Sequence, residues 1–312
     1  MKSNTFAKIS ILLKAIKVLK NWHLYPLVYY GLIKKEHVIF ETKSGLKIKI
    51  RTNSTDIMAF THVWLIEEYF NPGFELHGSD VIIDIGAHIG LFTLFASQFC
   101  KNGKIYCFEP VKENYDMLLS NISLNHLSNV FPFNMAVTDK TSPVRIYLNN
   151  DESGHSMFEQ NSTPIEAQST TFAHILDGNN ITSCDFVKMD CEGAEYDIIG
   201  TLPKEYFSKI KKMIIEYHMA DDKPELLQGL ISKLKSFSFD IKQKTLFADI
   251  GFLYVKAKSY MCVGCHEKRC LFGLDLEVFS LAVCWLDQIL ISNDLLAQLV
   301  LQIRWSLCFP KA

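Results

Sequence analysis

The chain has 312 residues, of which 48% are hydrophobic and 21% charged. This composition is typical of a globular protein with a sizeable core, and the length fits one large domain or one domain with appendages. No run of eighteen uncharged apolar residues occurs, so we expect no transmembrane helix.

The net charge of −2 hides a basic N-terminal region. Residues 1–51 contain eleven Lys/Arg against two Asp/Glu, whereas the remainder carries 21 against 32. Such a segment suits peripheral contact with an anionic surface, such as membrane headgroups or nucleic acid. The same bias is common on a solvated surface helix, which we favour.

The first residues carry no recognisable export signal. The apolar run between Lys8 and Lys14 is too short for a signal peptide core, and no small-residue cleavage site follows it. We therefore expect a cytoplasmic protein whose nine cysteines are reduced.

Residues 1–50 are predicted to form a basic N-terminal helix and hairpin. The helix is expected at Phe6–Lys20, although its apolar stripe is imperfect. The arms of the hairpin are Val38–Thr42 and Leu46–Arg51, and they flank a Ser-Gly turn. The second arm alternates apolar and polar residues, as a half-buried strand does.

Residues 51–258 are predicted to form one α/β domain. From Asp80 to about Lys258, short apolar runs alternate with helical stretches, which predicts parallel strands and crossover helices. The strand candidates are Val81–Ile85, Lys104–Phe108, Val130–Ala136, Val144–Leu148, Phe186–Met189, Lys212–Glu216, Phe239–Gln243 and Gly251–Val255. The helix candidates are Leu91–Cys100, Glu113–Leu124, Tyr196–Leu202 and Pro224–Phe237.

A glycine-punctuated turn follows the first strand of this domain. Asp84 ends the strand, Gly86 permits a tight turn close to a ligand, and Gly90 permits close packing of the next helix. Glu109 ends the second strand, about twenty residues further on. This is the separation along the chain that is expected of an acidic residue that binds a ribose. These features together predict a nucleoside-containing cofactor.

The turn does not match a nicotinamide dinucleotide site. Its glycines are spaced G-x-x-x-G rather than G-x-G-x-x-G, so the turn that cradles a pyrophosphate is missing. The acidic Asp84 suits the ammonium group of a methionine moiety better than a pyrophosphate.

Several segments together resemble the FkbM family of S-adenosylmethionine-dependent methyltransferases. The Lys188–Glu195 stretch is the most diagnostic of them, and the resemblance covers about residues 50–258. The matching segments are Arg51–Asp56, Glu67–Tyr69, Asp84–Gly90, Phe108–Pro110, Asn134–Asp139, Gly154–Ser156, Lys188–Glu195 and Ile215–His218.

The resemblance implies a doubly wound, seven-stranded, Rossmann-like methyltransferase sheet whose last strand is antiparallel. It implies S-adenosylmethionine as methyl donor and O-methylation of a hydroxyl on a sugar, glycolipid or secondary metabolite. The implied cofactor residues lie at the ends of the first three strands: the methionine and loop region is assigned to Asp84, Gly86 and Gly90, the ribose to Glu109, and the adenine border to Asn134 and Ala136.

A hydroxyl acceptor must lose a proton during methyl transfer, so a His or carboxylate is expected near it. The site of an open α/β sheet lies at the carboxyl ends of the strands. Asp190 follows the fourth strand, His218 the fifth, and His155 the extra strand. These three are the candidate catalytic residues, although each also suits a structural role.

We predict no metal site in the α/β domain. Glu192 and Glu195 are spaced to share a divalent ion, but acids at this spacing are more often first-turn residues of a helix.

Residues 259–312 form a cysteine-rich apolar tail of unknown role. The run from Cys262 to Cys270 contains Cys-x-x-Cys-His, a pattern of c-type haem attachment, and its three thiols with His266 also suit zinc. Without an export signal or a second paired knuckle, we favour reduced cysteines without a ligand.

Other functions remain open. A cofactor-binding or scaffold protein without activity is the main alternative, and a nicotinamide-dependent oxidoreductase is disfavoured by the glycine spacing. Nucleic-acid methylation is disfavoured because the body of the chain is acidic and no Asn/Asp-Pro-Pro-aromatic element follows the fourth strand.

Overall fold

A computed structural model describes residues 5–147 and 164–258 of the chain. The predictions for His155 and for the cysteine-rich tail concern residues outside these ranges. No helix among the described residues combines the length and apolar character that a bilayer crossing requires.

The described helices and strands follow the predicted alternation from β3 onward. The helices are α1 (Thr5–Val18), α2 (Leu24–Tyr29), α3 (Asp56–Phe60), α4 (Leu91–Ser97), α5 (Lys112–Leu124), α6 (Phe172–Gly178), α7 (Glu195–Thr201), α8 (Lys204–Phe207) and α9 (Pro224–Ser236), and a π-helical segment, Thr61–Ile66, continues α3. The strands are β1 (His37–Glu41), β2 (Lys47–Arg51), β3 (Val81–Ile85), β4 (Lys104–Phe108), β5 (Val130–Phe133), β6 (Ala136–Thr138), β7 (Val144–Tyr147), β8 (Pro164–Ala167), β9 (Ser169–Thr171), β10 (Phe186–Met189), β11 (Lys212–Tyr217), β12 (Phe239–Thr245) and β13 (Gly251–Ala257).

Seven strands form one mixed sheet in the order β12-β13-β11-β10-β3-β4-β5. The last strand, β13, runs antiparallel to both of its neighbours, and the pairs from β11 to β5 are parallel. The central strands β3 and β10 are buried along almost their whole length, as is usual for a parallel sheet that is covered on both faces. The predicted seven-stranded sheet with an antiparallel last strand is confirmed.

The predicted strand Val130–Ala136 is wrong in its extent, because the chain bends within it. β5 leaves the main sheet after Phe133, and Ala136 opens β6, which pairs in parallel with β9 in a separate two-stranded sheet. Asn134 lies at the bend, where its side-chain amide donates to the carbonyls of Glu109 and Pro110. β7 was predicted, and it pairs with β8 in another two-stranded sheet.

The N-terminal hairpin packs onto the α/β core through α5. The amide of buried Asn121 bonds both the N–H and the carbonyl of Lys49, at 2.8 and 3.0 Å, and donates to the Ile89 carbonyl at 2.9 Å. One turn later, Asn125 makes the same paired bonds with Lys47. The hairpin side chains also belong to the hydrophobic core that includes β3 and α4, so the predicted boundary near residue 50 separates sequence patterns that share one core.

Replacing Asn121 by Ala is expected to destabilise the protein by about 2–3 kcal/mol, because it leaves buried backbone N–H and carbonyl groups without hydrogen-bond partners. The matched control is Asn125→Ala, which removes the same paired contact at a more exposed position and is expected to cost about 0.5–1.5 kcal/mol. Denaturant unfolding of both variants tests the comparison. Equal losses would contradict the view that Asn121 anchors the hairpin.

Candidate functional site

The turn after β3 needs glycine at two positions for different reasons. Gly86 has a φ of +75°, and a Cβ there would lie 1.7 Å from the carbonyl oxygen of Asp190, so the turn passes directly against the end of β10. Gly90 has a φ of +87°, and its Cβ would lie 2.6 Å from Leu118 on α5. The first glycine therefore shapes the turn, and the second permits helix packing.

Glu109, at the end of β4, is buried and faces the same turn. Its carboxylate accepts the backbone N–H of His88 at 2.8 Å and that of Val111 at 2.9 Å. Burial raises the pKa of Glu109 to about 7, although these two hydrogen bonds oppose the shift. The carboxyl group is therefore held in place while one face of it remains on the wall of a cavity.

A cavity of about 360 Å³ lies at the carboxyl ends of the central strands. Because β4, β3, β10 and β11 are adjacent in the sheet, the residues that follow them lie side by side along it. The wall near β4 is formed by Glu109, Val111 and Ala136, among others. The polar residues near β10 and β11 are Glu68, Tyr69, Lys188, Asp190, Glu192, Glu216 and His218.

Lys188 is a buried cation at the centre of this edge. Its ammonium donates to the Gly86 carbonyl at 2.6 Å and lies 3.5 Å from both Asp84 Oδ1 and Asp190 Oδ2. Burial alone would lower the pKa of Lys188, but the charges of Asp190 and Asp84 raise it to about 12. Asp84, which also accepts the Thr93 hydroxyl at 2.7 Å, is fully buried behind the turn.

His218 is held from behind by Glu195. One oxygen of that fully buried carboxylate accepts the His218 backbone N–H at 2.9 Å and lies 3.2 Å from Nδ1 of the ring. Nε2 lies 3.5 Å from Glu192 and 3.9 Å from Asp190. Burial alone would lower the pKa of His218, but Glu195, Glu192 and Asp190 raise it to about 10.

The wall near β11 carries a further acidic residue, Glu216. Burial, together with the nearby charge of Asp190, raises the pKa of Glu216 to about 8. Tyr69 donates its hydroxyl towards Glu216 at 3.2 Å and Asp190 at 3.4 Å, and burial raises its pKa well above the ordinary value. This end of the cavity therefore suits a cationic or hydrogen-bond-donating ligand.

Arg51, at the end of the hairpin, reaches the turn that follows β3. Its guanidinium bonds Asp56 at 2.8 Å and Asn114 at 2.9 Å, and it lies 3.3 Å from Nε2 of His88. Burial lowers the pKa of His88 to about 4, so its ring is neutral and able to accept from the guanidinium. His88 also has a left-handed backbone, with a φ of 52°.

The structure places the predicted site residues in three groups. Gly86, Glu109, Ala136, Asp190 and His218 line the cavity together. Asp84, Gly90 and Asn134 lie behind its wall, where they support the turns that form it. His155 is outside the described residues.

Sequence reasoning missed four polar residues at this site. Lys188 and Glu216 lie within β10 and β11, where the flanking residues indicated only buried strands. Glu195 was interpreted as a first-turn acid, although it holds His218. Tyr69 precedes β3, and its only signal was its position in a segment that resembles the FkbM family.

The model of the methyltransferase FkbM domain family matches residues 84–241, half of the chain. Methyltransferase sdnD of Sordaria araneosa is 24% identical over 175 residues, which are 46% of this chain and 68% of that protein. The 31-O-demethyl-FK506 methyltransferase FkbM of Streptomyces tacrolimicus is 21% identical over 61% of this chain and 85% of that one.

Among solved structures, TYW2 of M. jannaschii in complex with AdoMet is 16% identical, with a TM-score of 0.39, over 72% of this chain and 86% of that one. The family match spans the turn after β3, Glu109, Asp190 and His218, which are the residues that shape the cavity. The chain therefore belongs to the FkbM family of methyltransferases, and its methyl donor is S-adenosylmethionine.

Proposed function

We propose that this protein transfers a methyl group to a hydroxyl oxygen of a small molecule or glycan. The observation that carries the proposal is the single cavity that joins Gly86 and Glu109 to the acidic wall at Asp190 and His218. One part of this cavity suits the cofactor, and the other supplies groups that orient a hydroxyl and accept its proton.

The residues near β3 and β4 fit the cofactor. Gly86 leaves room where a side chain would strike the Asp190 carbonyl, and Glu109 presents an acceptor for a ribose diol. Asp84, Gly90 and Asn134 act from behind the wall by holding these turns in place.

When bound, the cofactor supplies an electrophilic methyl carbon on a sulfonium. Methyl transfer would leave the acceptor hydroxyl with a proton to lose, and residues of the acidic wall would align that hydroxyl and take up its proton. Asp190 is our candidate base, because its half-buried carboxylate faces the cavity. His218 positions the acceptor, and alignment of the acceptor supplies much of the rate.

The relative from Streptomyces tacrolimicus is named for a 31-O-demethyl substrate, which supports oxygen as the acceptor atom in this chain.

Incubation of the protein with methyl-labelled cofactor and fractionated lipid, glycan and metabolite extracts tests the acceptor. We expect label in one fraction, on an oxygen, with release of one S-adenosylhomocysteine per methyl group. Label on nitrogen or carbon would overturn O-methylation. Cofactor binding without transfer to any fraction would instead favour a binding protein.

Asp190→Asn is expected to lower turnover by about 10²–10⁴-fold, the usual contribution of a general base. Cofactor affinity should change little, since the amide keeps the size of the side chain. Asp197→Asn is the matched control, because it removes an exposed carboxylate from α7, away from the cavity. Full activity of the Asp190 variant on the identified acceptor would exclude this carboxylate as the base.

Cofactor affinity is expected to depend on the charge of Glu109. Ribose hydroxyls donate best to the carboxylate, so affinity should fall as the pH drops below about 7, where this group becomes protonated. Glu109→Ala should cost about 1.5–3 kcal/mol at pH 8. Calorimetric titration between pH 5.5 and 8 measures both effects.

Glu109→Gln is the control for that titration, because it keeps the size of the side chain and removes its charge. We expect weaker binding at pH 8 and a smaller pH dependence. A wild-type affinity that is flat across this range, or a Gln variant with the same slope, would contradict the ribose assignment.

A further inference from the structure

We propose that Asp190, Glu192 and His218 form a binding site for a divalent transition-metal ion beside the acceptor. One donor atom from each residue lies within 4.8 Å of the others. All three residues line the cavity, so an ion bound there is accessible to a ligand within it.

The separations of the donor atoms suit one shared ion. Metal–ligand distances to imidazole nitrogen and carboxylate oxygen are about 2.0–2.2 Å, so two ligands of one ion lie about 3–4 Å apart. Nε2 of His218 lies 3.5 Å from Glu192 and 3.9 Å from Asp190. Small side-chain movements would complete the set and leave further coordination positions open to the cavity.

Glu195 supplies the support that a metal-binding histidine requires. Its carboxylate lies 3.2 Å from Nδ1 of His218 and also accepts the backbone N–H groups of His218 and Gly193. A carboxylate on one ring nitrogen fixes the orientation of the ring and makes the other nitrogen a better ligand. The His218 side chain is 8% exposed, and Nε2 is the nitrogen that faces the two cavity carboxylates.

The charges around the ring also favour a cation. The carboxylates of Glu195, Glu192 and Asp190 lie 3.2, 3.5 and 3.9 Å from its nitrogens, whereas the ammonium of Lys188 is already shared between Asp190 and Asp84. A mixed nitrogen and oxygen donor set favours ions such as Mn²⁺, Fe²⁺ or Zn²⁺ over Ca²⁺.

The effect of the ion on catalysis rests on the proposed function, but its binding does not. A divalent cation beside the acceptor hydroxyl would lower the pKa of that hydroxyl and orient its oxygen. Asp190 can both bind the ion and accept the hydroxyl proton, since one of its oxygens faces His218 and the other faces Tyr69.

Mn²⁺ is the probe for this site, because the nine cysteines of the chain would bind zinc more readily than manganese. The full chain, freed of metal by a chelator, is titrated with Mn²⁺ while paramagnetic resonance reports the free ion. We expect one Mn²⁺ per chain and a coupling of its electron spin to one imidazole nitrogen. This measurement needs no variant, so it stands even if a substitution disturbs the fold.

Three variants locate the ion. Glu192→Gln removes a ligand and should weaken Mn²⁺ binding at least about tenfold, and Glu195→Gln should weaken it roughly 10–100-fold through His218. Asp197→Asn removes the same charge from the helix that carries Glu195, and its affinity should match that of the wild type. Circular dichroism confirms that each variant is folded.

The proposal is overturned if Mn²⁺ does not bind, if no nitrogen coupling is present, or if the first two variants bind as the control does. It is also overturned if S-adenosylmethionine displaces the ion, because the acidic wall would then belong to the cofactor. These results do not depend on turnover. An O-methylated product without metal binding would overturn this inference alone, and metal binding without such a product would overturn only the proposed function.

Discussion

The buried Lys188 ammonium is the interaction on which the arrangement of the site depends. It lies between Asp84, which ends β3, and Asp190, which follows β10, and it donates to the carbonyl of Gly86. Without this cation the two carboxylates would repel each other, and removing one partner of a buried ion pair costs about 3–5 kcal/mol. Lys188 thus links the turn that follows β3 to the acidic wall of the cavity.

The sheet order explains why the proposed cofactor and acceptor residues share one cavity. β4, β3, β10 and β11 are neighbours, and the residues after them supply Glu109, Gly86, Asp190 and His218. The crossover connections bring these distant segments to one edge. The His218 ring is oriented from behind by the fully buried Glu195, which does not line the cavity.

Much of this arrangement was predictable because parallel strands meet at their carboxyl ends, which identified Glu109, Asp190 and His218 from the sequence alone. The direction in which a side chain points was not predictable. Asp84 and Asn134 occupy the expected strand ends but lie behind the cavity wall. A first-turn acid such as Glu195 has the same sequence pattern whether it faces solvent or a buried histidine.

The contact of Arg51 with His88 has a consequence for the size of the working unit. The hairpin that carries Arg51 lies upstream of the segment matched by the family model, yet the Arg51 guanidinium contacts His88 in the turn that follows β3. A shortened chain that starts at β3 would keep every strand of the main sheet but lose the contact between Arg51 and His88. The hairpin that ends at Arg51 is therefore as much a part of the folded domain as the sheet is.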